Sequence, residues 1–178
     1  MITKEEIIKA QNEWSNGIIK MGEISNNREK LESFVSDFLD ITYNFQEKVL
    51  FKPTKARIEQ FRNDKDSATS YFIGGDNKKC KEDNGFALSR WLKITFNNSD
   101  IIVKENQGLA MGNYTFENNE SRIKVEYSFG YIKINNLIKI ILHHSSIPYQ
   151  SWIYPGLYQV LWTGVPGGLI ILQKWWVN

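Results

Sequence analysis

Leu137-Ile-Lys-Ile-Ile-Leu-His-His-Ser-Ser-Ile-Pro-Tyr149 joins an aliphatic run to an abruptly polar one and stops at a proline. The first half reads as a buried strand, because β-branched and aliphatic residues dominate it and only one charge, Lys139, interrupts them. The second half holds both histidines of the chain, His143 and His144, followed at once by Ser145 and Ser146. Side chains alternate across a strand, so a strict period of two puts Ile138, Ile140, Leu142, His144 and Ser146 on one face. Leu137, Lys139, Ile141, His143 and Ser145 take the other. An unpaired lysine is almost never fully buried, which sends Lys139 to solvent or an interface rim and leaves His144 and Ser146 facing inward. The plainer reading of such a pair is one core and one surface histidine, each satisfied by hydrogen bonds.

Upstream of this stretch the chain is β-like for some fifty residues. Ala87–Phe96, Ile101–Glu105, Leu109–Phe116 and Ile123–Ile134 are candidate strands, divided by Asn97-Asn98, Asn106-Gln-Gly108, Asn118-Asn119 and Asn135-Asn136, all turn formers. Ile123, Val125, Tyr127, Phe129 and Tyr131 alternate with Lys124, Glu126, Ser128, Gly130 and Ile132, giving one apolar and one mostly polar face. The beginning of the chain is helical instead. Thr3-Lys-Glu-Glu6 has the spacing of a capping box, and Ile7, Gln11, Trp14, Ile18 and Met21 follow three or four apart until Gly22. A second helix spans about Asn27 to Tyr43, with Leu31, Phe34, Val35, Phe38, Leu39 and Thr42 on its buried side. Helices first and antiparallel strands after make an α+β fold, a curved antiparallel sheet wrapped around N-terminal helices.

Between these halves lie two segments with polar residues in unusual company. Val49-Leu-Phe51 reads as a short buried strand, and Lys52-Pro53 bends the chain before Thr54, whose hydroxyl is suited to closing a turn. Asp64–Gly75 is a short helix with acids at its start and glycines at its end. Tyr71 and Phe72 are neighbours on it, about 100° apart, so Phe72 takes the core and the Tyr71 phenol needs a partner. Asp76–Asn84, with Lys78, Lys79, Lys81, Glu82 and Asp83, reads as a solvated loop tip.

Composition narrows the function classes. The 178 residues make one domain by length, 42% hydrophobic and 24% charged, both globular values. A net charge of +2 from scattered basic residues leaves no footprint for nucleic acid and no call for a strongly acidic partner. The lone Cys80 cannot form an internal disulfide, and Met1-Ile-Thr-Lys-Glu-Glu6 runs into charge rather than an apolar leader. A cytoplasmic location is therefore expected of the chain as written, a leader already removed being the alternative. The domain is taken as residues 1–149, followed by an aromatic-rich extension over 150–178. That extension holds four of the six tryptophans and one charge, Lys174, and its apolar run is broken by Pro155, Gly164, Pro166 and Gly167-Gly168, which makes a poor spanning helix. An arm packing on the domain or on a second subunit is expected there, rather than a membrane contact.

Five segments resemble the iota-class carbonic anhydrases in the same order. They are Phe-Lys-Pro-Thr-Lys-Ala56, Ser-Tyr-Phe-Ile-Gly-Gly75, Leu-Ala-Met-Gly-Asn-Tyr-Thr-Phe116, Val-Glu-Tyr-Ser-Phe-Gly-Tyr131 and Leu-His-His-Ser-Ser-Ile-Pro-Tyr149. The resemblance covers roughly Ile7 to Tyr149. It implies the cone-shaped nuclear-transport-factor-like (cystatin-like) fold, shared with the association domain of calcium/calmodulin-dependent protein kinase type II. It also implies reversible hydration of carbon dioxide to bicarbonate, in a pocket lined by Thr54, Tyr71, His144 and Ser146. Hydroxyls there would hold bicarbonate oxygens, and a histidine with an ordinary pKa near 6.5 would pass the released proton.

A zinc hydroxide site normally needs three protein ligands and an open position. Two adjacent histidines on a strand point to opposite faces, and no acid has a claim to the inner positions, so no cofactor is expected and zinc is the weaker alternative. A homodimer or higher homo-oligomer is the expected assembly. Two rival functions remain: a non-catalytic oligomerisation or ligand-binding module of the kinase association-domain type, and an isomerase or cyclase of the same fold. The second would want an inward carboxylate and a larger pocket.

Overall fold

The computed structural model describes residues 1–149; the extension over 150–178, with the arm expected there, lies outside the described residues. Helix α1 (Lys4–Glu23) starts on the capping box: the Glu6 amide donates to the Thr3 hydroxyl at 3.2 Å, and the Thr3 amide donates to the Glu6 carboxylate at 3.0 Å. Its stripe of Ile7, Gln11, Trp14, Ile18 and Met21 is buried throughout. Gly22 does not end the helix, which runs to Glu23; a Cβ there would come within 3.1 Å of the Arg90 Cα, so the glycine serves a close approach. Helix α2 (Arg28–Thr42) is capped by Asn27 and buries Leu31, Val35, Phe38 and Leu39. Helix α3 (Lys65–Ile73) is capped by Asp64 and stops at Gly74, whose φ of +49° lies in the left-handed region. None of these helices is long and apolar enough to cross a membrane.

Strands β1 (Leu50–Lys52), β2 (Lys93–Lys104), β3 (Gln107–Glu117), β4 (Arg122–Ile134) and β5 (Leu137–Ser146) form one open sheet in the order β1-β5-β4-β3-β2. β1 runs parallel to β5 and every other pair is antiparallel. Helix α1 lies in the hollow of the sheet. The Trp14 ring sits within 6.3 Å, centroid to centroid, of Phe96 on β2, Tyr114 and Phe116 on β3, Phe129 on β4 and His143 on β5. One indole thus touches four strands, and replacing such a side chain by alanine costs about 3–5 kcal/mol.

The structure corrects four further expectations about the fold. Asn97-Asn98 is not a turn: β2 continues through it with a bulge between Asn98 and Asp100. The Asn98 amide exchanges two hydrogen bonds of 2.9 Å with Gln11 and accepts from the Tyr127 hydroxyl at 2.6 Å, so side-chain pairing to α1 and β4 overrides the turn preference. Ala87 belongs to a 3₁₀ turn over Phe86–Ser89 rather than to a strand. Lys139 is buried, its ammonium donating to the Asp40 carbonyl at 2.7 Å at the end of α2, where the exposed carbonyls of a helix satisfy a cation.

The fourth correction is the charged loop, which is an organiser rather than a solvated tip. Arg62 has no exposed surface; its Nη2 donates to Asp83 Oδ1 at 3.0 Å and reaches Glu82 Oε1 at 3.5 Å. Glu82 accepts from the amides of Arg57, Ile58 and Glu59 at 2.8–3.0 Å, and these bonds hold its pKa down to about 2. Asp83 accepts from the Ser70 hydroxyl of α3 at 2.6 Å, and that hydroxyl in turn accepts from the Cys80 amide. The loop after β1 is therefore tied to α3 through buried charges. Those are the two segments that carry Thr54 and Tyr71.

Candidate active site

The inner face of β5 changes phase partway along the strand. Gly130 of β4 pairs with Leu142 and Tyr131 with Ile140, so Ile141 is an extra residue without a partner, a β-bulge. A one-residue slip moves every following side chain to the other face. His143 and Ser145 are consequently inside, 3% and 1% exposed, and His144 is outside. The expectation that His144 and Ser146 face inward is corrected accordingly: Ser146 donates to Glu126 at 3.1 Å on the surface. The bulge falls where the neighbour of β5 changes. Tyr43, at the end of α2, bridges to Ile140, and β1 takes over at Leu142.

Thr54 and Tyr71 do lie together with the inward pair. They line one small cavity with His143, Ser145 and Tyr114, and Trp14, Pro53, Phe72 and Phe86 supply apolar walls. The cavity is small, about 10 Å³, enough for roughly one water. A larger hollow of about 430 Å³ lies along α2 between Asn27 and Asp37, but it is an open surface, and among the described residues no histidine or tyrosine lines it. Thr54 is brought in by Pro53 and by the return of its loop to β1, where the Arg62 amide donates to the Phe51 carbonyl at 2.7 Å.

A continuous hydrogen-bonded chain leads into the cavity. The Trp14 indole N–H donates to the Tyr43 hydroxyl at 2.9 Å, and that hydroxyl lies 2.8 Å from His143 Nδ1. His143 Nε2 is 2.9 Å from Ser145 Oγ and 3.4 Å from the Tyr114 hydroxyl, and the Tyr114 and Ser145 hydroxyls are in direct contact. Nearby Thr54 favours the ionised form of Tyr114, and the Lys55 backbone that of Tyr71, against the larger effect of burial. Burial wins: Tyr43, Tyr71 and Tyr114 all titrate well above an ordinary phenol and stay protonated.

Burial, followed by the charge of His144, pushes His143 well below the ordinary histidine range. Its imidazole stays neutral at neutral pH. The ring is packed between Phe51, stacked at 4.5 Å, and Phe129, edge-on at 4.1 Å. Both of its nitrogens are already hydrogen-bonded, and no group of three His, Cys, Asp or Glu suited to a metal ion exists among the described residues.

The family model for metal-independent carbonic anhydrases matches residues 5–147. This chain belongs to that family. A metal-independent carbonic anhydrase of Nostoc is 32% identical over 156 residues, covering 84% of this chain and 76% of that protein. A solved cyanobacterial iota-carbonic anhydrase, complexed with bicarbonate, superposes with a TM-score of 0.79 at 31% identity, covering 84% of this chain and 94% of that one. A calcium/calmodulin-dependent protein kinase II association domain from Xanthomonas campestris matches with a TM-score of 0.58 at 19% identity, covering 83% and 89%; that likeness is one of fold. The carbonic anhydrase family explains why the site holds hydroxyls and a neutral imidazole where a zinc enzyme would carry three ligands.

Sequence reasoning did not single out Tyr114, His143 and Ser145, which line the cavity, or Tyr43, which is hydrogen-bonded to His143 behind it. Tyr114 was visible only as part of a strand motif and Tyr43 only as the end of a helix. The available signal was the uniform Ile140-Ile141-Leu142 run, which is apolar on both faces and so leaves the phase of the strand open beyond it.

Proposed function

We propose that this chain hydrates carbon dioxide reversibly to bicarbonate and a proton, without a metal, in the cavity bounded by Thr54, Tyr71, Tyr114, His143 and Ser145. The observation that carries the assignment is the convergence of uncharged hydroxyl and imidazole groups on a nearly closed, aromatic-walled space, in a chain of this family. The oxygen of water adds to the carbon of carbon dioxide, one C=O electron pair moves onto its oxygen, and the proton lost by the water passes to solvent. Negative charge grows on the carbon dioxide oxygens, and fixed hydroxyl donors in a dry site stabilise it as an oxyanion hole does. Phe72, Phe86 and Pro53 give the apolar gas its berth.

Stopped-flow hydration of carbon dioxide by the purified protein, with and without a chelator, tests this reading. A rate above buffer that chelation leaves unchanged is expected. Loss of the rate on chelation would refute the metal-free site, and no rate in either condition would favour the binding module.

We also propose a homo-oligomer, supported by the outward face of the sheet. Leu50, Leu142, Gly130, Leu109 and Ile102 are successive cross-strand partners, so one row through the bulge is apolar across all five strands. Leu50, Leu109 and Ile102 are each more than half exposed, and Met111 stands beside them. Such a continuous patch is more typical of an interface than of a solvated face. Light scattering is expected to give a multiple of the monomer mass, and Leu109→Glu to reduce it to the monomer. A monomeric native protein at high concentration would remove this surface from consideration.

A further inference from the structure

The direction of the hydrogen-bond chain behind the cavity follows from its far end. An indole N–H can only donate, so the Trp14–Tyr43 contact at 2.9 Å fixes the Tyr43 oxygen as acceptor. Tyr43 has one hydrogen of its own, and His143 Nδ1 at 2.8 Å is its partner. Were Nδ1 to carry a proton instead, the Tyr43 oxygen would accept twice and its buried hydrogen would be left without an acceptor, a cost of about 1–3 kcal/mol. Nδ1 therefore accepts, and the single proton of the neutral ring sits on Nε2. From there it donates to Ser145 Oγ at 2.9 Å. With its oxygen already accepting, Ser145 shares two hydroxyl hydrogens with Tyr114. One fills the contact between them and the other is free for the cavity.

The geometry points to Trp14 and Tyr43 as positioning residues: together they lock His143 in its Nε2–H tautomer, so that every bond of the chain donates toward the cavity and the cavity is presented with hydroxyl hydrogens. A chain that ends in donors suits an oxyanion, and each bond polarises the next. Reversing the tautomer would turn Nε2 into an acceptor and draw a hydroxyl hydrogen away from the cavity. No charged side chain contacts the ring among the described residues: Trp14 of α1, Tyr43 after α2, Phe51 of β1, Tyr114 of β3, Phe129 of β4 and Ser145 of β5 surround it. Indole and phenol thus set the tautomer, a task that a carboxylate performs in many other sites.

This proposal deepens the carbon dioxide reading and rests on it for its kinetic half, while its tautomer half is measured without substrate. The chain has two histidines, and His144 is exposed, so ¹⁵N-histidine NMR contains one buried ring and one internal control. His143 is expected as a single neutral Nε2–H form from about pH 5.5 to 8.5, while His144 titrates. Tyr43→Phe removes one oxygen and is expected to release the lock, giving mixed tautomers and a kcat lowered roughly ten- to a hundredfold with KM little changed. Trp14→Phe, which frees the Tyr43 oxygen to accept from Nδ1–H, is expected to mix the tautomers as well. An Nδ1–H signal for native His143, or its titration alongside His144, would overturn the proposal even if neither variant folds. An unaltered tautomer with unaltered kcat in Tyr43→Phe would also overturn it. A tautomer result as expected with no hydration in the native protein would retain the lock and reject the carbon dioxide reading.

Discussion

Ser145→Ala is expected to lower kcat/KM for carbon dioxide hydration by about 10²–10³, the usual effect of removing one oxyanion donor, while Ser146→Ala leaves it unchanged. The two serines are chemically identical neighbours, so the contrast depends on orientation alone. Ser145 is 1% exposed, and its Oγ lies 2.9 Å from His143 Nε2, touches the Tyr114 hydroxyl and faces the cavity. Ser146 Oγ faces outward and its partner is the Glu126 carboxylate. Deleting Ser145 Oγ also leaves the His143 N–H without its nearer acceptor, so a modest stability loss of about 1–3 kcal/mol should accompany the rate loss. Thermal melts separate the two effects, because the rate is read on the folded fraction. Strict alternation along β5 forecasts the reverse pair of results. A large loss in Ser146→Ala with a silent Ser145→Ala would therefore reject the bulge at Ile141 and the site built on it.

What could be read from the chain and what could not divide along local and non-local physics. The capping box at Thr3, the stripe from Ile7 to Met21 and the alternation from Ile123 to Tyr131 depend on neighbours a few residues away, and all hold in the structure. The helix-then-strand order carried the α+β fold, and the recurring motifs carried the family. Failures cluster where a distant segment decides. Asn98 forms no turn because Gln11 and Tyr127 pair with its amide. Lys139 is buried because α2 ends beside it. The phase of β5 changes where Tyr43 gives way to β1 as its neighbour. The position of Thr54 and Tyr71 at one cavity depended on the motifs, since no periodicity relates a turn after β1 to a helix eleven residues further on. Local pattern thus reached the stretch whose side chains line the cavity, and the bulge turned the other member of each pair toward it.

Asp83→Ala is expected to destabilise the protein by about 3–5 kcal/mol in equilibrium urea unfolding, the cost of leaving a buried charge without its partner. Arg62 is 0% exposed, and Asp83 at 3.0 Å is the nearer of its two acids, Glu82 lying at 3.5 Å. The same carboxylate receives the Ser70 hydroxyl, so its loss also frees the start of the link between α3 and the loop around Cys80. The pair is not ideal, since Arg62 Nε and Nη1 have no hydrogen-bond partner among the described residues. Removing both charges should therefore recover most of the loss, and Arg62→Met combined with Asp83→Leu is expected to unfold within about 1–2 kcal/mol of the native protein. Stability and rate should then part company. The double variant keeps the core filled but lacks the charge that draws the Glu82 loop toward α3, so Thr54 and Tyr71 are held less firmly and kcat/KM is expected to stay below the native value. A double variant as active as the native protein would mean that the aromatic packing of Tyr71 against Phe51 and Phe86 positions the site unaided, and the buried charges would then have no part in catalysis.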